Sequence, residues 1–144
     1  MSIQIVLMLP PQAASVSLAR HTLAEALRIA GVSPECIDEA EVALSEACTN
    51  VFHHVEAGQN FEVLLSIGDA ELTMHILDSG SGLPRGHLLA DWPDVGSENG
   101  RGLALMKAFT DDASFECSDG GGSVRLKKRL SRVAEPALPA AASE

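Results

Sequence analysis

Three side chains that could bind a metal or accept a proton recur at four-residue intervals: Glu46, Asn50 and His54. An α-helix would place all three along one stripe. A second stripe of the same segment is apolar, as expected for a helix that lies on a core, and consists of Ile37, Leu44, Cys48, Val51 and Val55. Taken alone, the polar stripe is more simply the solvated side of an amphipathic helix. A functional interpretation needs support from the rest of the chain.

Two glycine-containing segments are further candidates for ligand binding. One follows a predicted strand and reads Asp78-Ser79-Gly80-Ser81-Gly82, and the other opens a predicted helix and reads Glu98-Asn99-Gly100-Arg101-Gly102-Leu103. Glycine lets backbone N–H groups approach phosphate oxygens, and a helix N-terminus favours an anion. Each Gly-x-Gly by itself is more often an ordinary turn than a ligand site.

Composition restricts the class of protein. The chain has 144 residues, of which 46% are apolar, and this suits one globular domain. Its 10 basic and 20 acidic residues give a net charge of −10, which disfavours direct binding of nucleic acid or an anionic membrane. Cys36, Cys48 and Cys117 form no Cys-x-x-Cys pair, so we expect reduced cysteines and no metal site built on them. With no signal peptide or membrane span predicted, we expect a cytoplasmic protein.

Several common catalytic and binding motifs are missing from the sequence. It contains no P-loop, no complete dinucleotide fingerprint, no Gly-x-Ser-x-Gly elbow and no His-Glu-x-x-His. His53 and His54 are adjacent and would point about 100° apart on a helix, so they cannot chelate one ion as a pair. Another type of nucleotide pocket therefore has to be considered.

The order of predicted elements indicates an α+β fold. Strands are predicted at 3–9, 61–67, 71–77, 113–117 and 123–130, and helices at 13–30, 34–55 and 102–110. We expect a two-layer sandwich, with helices on one face of a mixed, mainly antiparallel sheet. The single domain would span residues 1–130, with a disordered tail at 131–144, and the long segment 78–99 would be a functional cover or disordered. The apolar residues predicted for the first helix are Val16, Leu18, Leu23, Leu27 and Ile29.

The order of the motifs resembles the Bergerat-type ATPase fold of histidine kinases, Hsp90 and DNA gyrase. The motifs are Glu46-x-x-x-Asn50 on a helix, Asp78-x-Gly80-x-Gly82 after a strand, Gly100-x-Gly102 opening a helix, and Gly122-Ser123 entering the last strand. Two local sequences, Ser-Glu-Ala-Cys-Thr-Asn and Gly-Arg-Gly-Leu-Ala-Leu-Met, are more specific than the motifs of that superfamily. They look like those of the anti-sigma factor serine/threonine kinases of bacterial partner-switching systems, and this resemblance covers about residues 9–130.

The resemblance implies a role for each matching residue. Asn50 would help hold Mg²⁺ that bridges the phosphates of ATP, and Glu46 would be the general base. Asp78 would accept a hydrogen bond from the adenine amino group. The remaining implied ligands of ATP are Gly80 and Gly82 in the adenine pocket, Gly100, Arg101, Gly102 and Leu103 at the phosphates, Ser123 near the adenine, and His54 at the pocket edge.

The implied function is that of an ATP- and Mg²⁺-dependent protein serine kinase. It would sequester a sigma factor, phosphorylate a small antagonist protein and form homodimers. One alternative is a nucleotide-gated binding protein whose client is not a sigma factor and which transfers little or no phosphate. A third hypothesis, a detached histidine-kinase catalytic domain, is disfavoured because no phosphoacceptor helix pair precedes the motifs.

Overall fold

Five strands form one antiparallel sheet in the computed structural model, which describes residues 2–52, 55, 59–78, 98–118 and 121–133. The strands are β1 (Ile3–Leu9), β2 (Phe61–Ile67), β3 (Glu71–Asp78), β4 (Asp112–Ser118) and β5 (Gly121–Arg129). Their spatial order is β1-β2-β3-β5-β4, and every pairing between these described strands is antiparallel. The predicted α+β arrangement is confirmed.

Three helices accompany the sheet within the described residues: α1 (Ala13–Ile29), α2 (Pro34–Phe52) and α3 (Glu98–Ala108). The start of α2 follows from its sequence, because the Cys36 N–H donates to Ser33 Oγ at 3.3 Å and Pro34 needs no N–H partner at the first helical position. The predicted apolar stripe of α2 is confirmed, since Ile37, Leu44, Cys48 and Val51 are buried and Val55 packs against the core.

Alternate residues of the inner strands face the helices and form the core. In β2, β3 and β5 the buried rows are Phe61, Val63, Leu65 and Ile67, then Leu72, Met74, Ile76 and Asp78, then Val124, Leu126 and Lys128. The registers Met74↔Leu126 and Val63↔Ile76 bring these rows side by side on one face. Two charged residues, Asp78 and Lys128, therefore occupy inward positions of an otherwise apolar sheet face.

The buried face of α1 differs from the predicted one. Leu23 and Leu27 are buried and Val16 is partly buried, but Leu18 is 50% exposed and Ile29 is 69% exposed. The buried face is instead completed by Ala19, Ala24 and Ala26. Small side chains let α1 lie close to its neighbours, and the helical period then turns Leu18 and Ile29 away from the core.

Residues 131–133, predicted to begin a disordered tail, form contacts in the structure. The Ser33 N–H donates to the Ser131 carbonyl at 2.8 Å, and the Val133 N–H donates to the Gly31 carbonyl at 2.9 Å. The Arg132 guanidinium donates to the carbonyls of Ala30 and Gly68. These bonds join the chain after β5 to the turn between α1 and α2, while the predicted tail from 134 onward lies outside the described residues.

The long segment predicted at 78–99 also lies outside the described residues, apart from its two ends at Asp78 and Glu98–Asn99. None of the helices that the structure describes is both long and apolar enough to cross a membrane.

Candidate ATP-binding site

Helix α2 places Glu46 and Asn50 one turn apart, as the four-residue spacing predicts. Asn50 is only 7% exposed, so the interpretation of this stripe as a solvated surface is wrong for this residue. Its Nδ2 atom is buried and has no hydrogen-bond partner among the described residues. A buried amide without a partner costs about 1–3 kcal/mol. Asn50 therefore offers a polar group that a ligand can satisfy.

Gly102 of α3 lies directly against this part of α2. A Cβ atom built on Gly102 would be 2.7 Å from Glu46 Oε1 and 3.4 Å from Asn50 Nδ2. The first of these distances is too short for any real Cβ atom, so only glycine allows α3 to approach α2 here without displacing Glu46. The structure thus brings three of the predicted site residues together: Glu46, Asn50 and Gly102.

The start of α3 corrects the prediction. The helix was predicted at 102–110, with the glycines at its N-terminus, but α3 begins at Glu98 and ends at Ala108. Gly100, Arg101, Gly102 and Leu103 therefore lie within its first two turns. Glycine lowers helix propensity by about 1 kcal/mol per residue, and packing on α2 outweighs that preference here. Leu103 is partly buried and packs against the hydrophobic core.

Asp78 is placed by the end of β3. It pairs with Phe61 of β2, is 4% exposed and continues the inward row of Leu72, Met74 and Ile76. Helix α2 contacts β3 on this face. Asp78 is therefore a buried carboxylate on the same side of the sheet as the Glu46 and Asn50 helix.

Ser123 does not share that side of the sheet. It pairs with Leu77 of β3, and because side chains alternate along a strand, Ser123 and Leu77 face away from the helices whereas Asp78 faces toward them. Gly122, which pairs with Cys117 of β4, is the buried neighbour of Ser123 on the helix side. The structure therefore does not bring Ser123 to the face of Asp78.

The structure describes only some of the other residues that were predicted to bind ATP. His54, Gly80 and Gly82 lie outside the described residues, and Gly100 and Arg101 are placed by their backbone in α3. Within the described part of the chain, no group of three or more His, Cys, Asp and Glu side chains could hold a metal ion by itself. Burial raises the pKa of the Cys48 thiol, on the same helix, to about 12, so this thiol stays protonated and is a poor nucleophile.

Residues 9–128 match the model of the histidine kinase-like ATPase domain. The chain belongs to this family. The fold and the ATPase resemblance predicted from the motif order are thereby confirmed, and membership of a histidine kinase-like ATPase family implies that the ligand is ATP.

Two similar proteins align with this chain over most of their own length. An anti-sigma F factor of Clostridium acetobutylicum is 30% identical over 125 residues, which cover 81% of this chain and 87% of the relative. The serine-protein kinase RsbW of Bacillus cereus is 27% identical over 134 residues, which cover 86% of this chain and 83% of the relative. The predicted resemblance to anti-sigma factor kinases is confirmed at this level.

Solved structures show the same fold. The RsbU and RsbW domains of Rv1364c from Mycobacterium tuberculosis align with a TM-score of 0.69 at 22% identity, and cover 92% of this chain but only 34% of that one. The histidine kinase domain of a blue-light activated kinase from Erythrobacter litoralis aligns with a TM-score of 0.53 at 18% identity, and covers 84% of this chain and 61% of that one.

The described residues of this ATPase domain fit such a ligand. The Asn50 amide is buried with an unpaired Nδ2, and the backbone of Gly102 lies close to it because position 102 carries no side chain. The unpaired Nδ2 is a hydrogen-bond donor and suits a phosphate oxygen, whereas Mg²⁺ would take the Oδ1 atom of the same side chain. The two amide atoms of Asn50 could therefore meet a phosphate and a metal ion.

We expect Asn50→Ala to lose ATP affinity by about tenfold or more while its free energy of unfolding stays within about 1 kcal/mol of wild type, because the substitution removes a buried amide group that lacks a partner. Ser45→Ala is the matched control, since Ser45 Oγ on the same helix is also buried without a partner among the described residues. Titration calorimetry with ATP and urea unfolding measure the two quantities. Wild-type affinity in Asn50→Ala would contradict the site.

We expect Gly102→Ala to fold with at least wild-type stability and to bind ATP more weakly. Alanine gains about 1 kcal/mol of helix propensity, and Glu46 Oε1 ends a flexible side chain that can move away from the new Cβ at low cost. The same Cβ would stand 3.4 Å from Asn50 Nδ2, the donor that we expect ATP to satisfy, so ATP affinity should fall. Gly68→Ala is the control, because its Cβ would meet only the Glu71 carbonyl at 3.5 Å. Equal ATP affinities of the two variants would show that the close approach at Gly102 is irrelevant to binding.

Proposed function

We propose that this chain is a cytoplasmic, ATP- and Mg²⁺-dependent protein serine kinase and an anti-sigma factor. It sequesters a sigma factor and phosphorylates a small antagonist protein, which then switches partners. The observation that carries the proposal is the arrangement of Glu46, Asn50 and Gly102, in which a half-buried carboxylate lies one helical turn from a buried, unsatisfied amide. The names of the two relatives, an anti-sigma factor and a serine-protein kinase, support it.

Each residue has a definite part in the proposed reaction. Asp78 accepts a hydrogen bond from the adenine amino group, and the first turn of α3, which includes Gly100 and Arg101, binds the phosphates through its free backbone N–H groups. Asn50 holds Mg²⁺, which when bound offsets the negative charge of the phosphates. Glu46 orients the serine hydroxyl of the antagonist and accepts its proton.

The proposed transfer forms one bond and breaks one. The serine Oγ of the antagonist bonds to the γ-phosphorus of ATP, its proton passes to the Glu46 carboxylate, and the bond from that phosphorus to the bridging oxygen breaks with its electron pair left on ADP. Positioning and electrostatics account for most of the catalysis of such a transfer. A small set of residues on two packed helices is therefore sufficient.

The proposal includes a homodimer, and β1 offers an edge for it. Within the described part of the chain β1 pairs only with β2, and its seven residues include no charge and no proline. Val6 is 67% exposed and Met8 is 55% exposed. A long, uncharged edge strand is a template for pairing with another chain. Full antiparallel pairing of residues 3–9 with a second copy puts Val6 opposite its own counterpart, since 3 + 9 equals 6 + 6.

We expect Glu46→Gln to retain ATP affinity and to lose phosphoryl transfer by about 10²–10⁴-fold, the usual contribution of a general base. Transfer is measured as label from γ-labelled ATP on serine of a candidate antagonist, taken from the small proteins encoded beside this gene. Glu41→Gln is the control, because it removes the same charge from α2 on another side of the helix. Undiminished labelling by Glu46→Gln would refute the base, and ATP binding without label in wild type would favour the non-kinase binding protein.

We expect Val6→Lys to convert the dimer to a monomer, because like charges directly opposite each other destabilise a strand pair. Sedimentation equilibrium measures the state, with Val42→Lys on α2 as the control at another exposed apolar residue. Mixing Val6→Lys with Val6→Glu should restore a heterodimer. A Val6→Lys protein that remains dimeric would place the interface elsewhere.

A further inference from the structure

Lys128 is a buried lysine in the inward row of β5, where it follows Val124 and Leu126 and is 6% exposed. Its Nζ donates at 2.7 Å to Glu39 Oε1 of α2 and at 2.8 Å to the carbonyl oxygen of Phe109, at the end of α3. One ammonium group therefore joins the sheet to both helices that carry the candidate site. A buried cation destabilises the fold strongly unless it is paired in this way.

Helix α3 depends strongly on such contacts. Gly100 and Gly102 weaken it intrinsically, and Met106 is its only fully buried large side chain among the described residues. Its C-terminal end is held to β5, because the Asp111 N–H donates to the Lys127 carbonyl at 2.8 Å and Asp111 Oδ2 accepts from the Arg129 N–H at 2.5 Å. The Lys128 bond to Phe109 adds a charge-assisted bond to the same end.

The residues that contact Lys128 are separated from the residues of the Gly102 contact by the same number of positions along α2 and along α3. On α2, Glu39 precedes Glu46 by 46 − 39 = 7 residues. Phe109, which directly follows α3 and still donates its N–H to the Leu105 carbonyl at 3.1 Å, comes 109 − 102 = 7 residues after Gly102. Seven residues are about two turns, so on each helix both contacts lie on nearly the same face. Lys128 therefore fixes the α2–α3 pair two turns from the point where Gly102 meets Glu46 and Asn50.

We infer that Lys128 is a positioning residue, which acts through Glu39 and the Phe109 carbonyl to hold Gly102 of α3 against Glu46 and Asn50 of α2. This inference rests on the proposed function for its effect on ATP, although its effect on α3 is independent of any ligand. An apolar residue at position 128 could make neither of these bonds. The cation adds directional contacts to the apolar packing, because its two hydrogen bonds join β5 to a defined acceptor on α2 and to another at the end of α3.

The test compares Lys128→Met with Lys127→Met. Both remove one lysine from β5, but Lys127 is half-buried on the opposite face of the sheet. In the full chain without nucleotide, we expect Lys128→Met to speed amide hydrogen exchange in α3 by about tenfold while exchange in β2 and β3 stays at the wild-type rate, as for loss of a charge-assisted bond. ATP affinity should fall by a similar factor. Lys127→Met should change neither quantity.

Two further variants keep the inference testable if Lys128→Met does not fold. Glu39→Gln keeps an acceptor at a side chain that is 46% exposed, and should show a smaller change confined to α3. Lys128→Arg keeps the donors and should restore ATP affinity toward wild type. Unchanged exchange in α3, or exchange that rises equally throughout the core, would overturn the positioning role. If the wild-type chain binds no ATP, the proposed function fails, and exchange in α3 still decides the role of Lys128.

Discussion

The close approach of α3 to α2 at Gly102 is the constraint on which the site depends. A Cβ at this position would stand 2.7 Å from Glu46 Oε1, so α3 can lie this near with Glu46 in its observed place only because residue 102 is glycine. The same approach shields Asn50, which lies one turn beyond Glu46 and is 7% exposed. A single glycine therefore allows α3 to lie against both the carboxylate and the amide. The glycine that permits this contact also lowers the intrinsic helix propensity of α3.

Polar groups at inward positions divide into two kinds. Lys128 has its Nζ paired with Glu39 and the Phe109 carbonyl, so its burial is compensated and it orders the helices. Asn50 leaves Nδ2 without a partner among the described residues, so its burial costs free energy in the chain alone. A paired buried charge stabilises the architecture, whereas the unpaired Asn50 amide is a cost that a bound ligand would remove. Ser45 Oγ is also buried without a partner among the described residues, so it is the position of Asn50 beside Gly102 that marks it as a site residue.

Much of the fold could be predicted from the sequence because its signals are local. The alternation in β2 gave that strand the bounds found in the structure, and the Ser33-Pro34 pair predicted the start of α2. The four-residue spacing correctly placed Glu46 and Asn50 one turn apart. The start of α3 at Glu98 was not predicted, because glycine opposes a helix and only packing against α2, a contact distant in sequence, outweighs that tendency.

Two other features depended on register and could have been found by extending the same reasoning. Period two along β5, counted from Val124 and Leu126, already makes Lys128 an inward residue, and it already turns Ser123 away from the helices. The exposure of Leu18 and Ile29 is of another kind. Both are apolar residues of α1, and their place depends on which small residues, Ala19, Ala24 and Ala26, contact the neighbouring elements. That choice is made by the packing of the whole domain.

The site and the fold are coupled because they share α3. The helix has few buried apolar side chains, is held at its C-terminal end by β5 and Lys128, and meets Glu46 and Asn50 near its N-terminal end. A ligand that pairs the Asn50 amide removes a cost that the folded chain bears alone, and so stabilises the folded state by linkage. Because a Cβ on Gly102 would stand only 3.4 Å from Asn50 Nδ2, a ligand at that amide would also favour the α2–α3 arrangement that we infer Lys128 maintains. Occupancy of the site and order in α3 therefore rise together, as parts of one equilibrium.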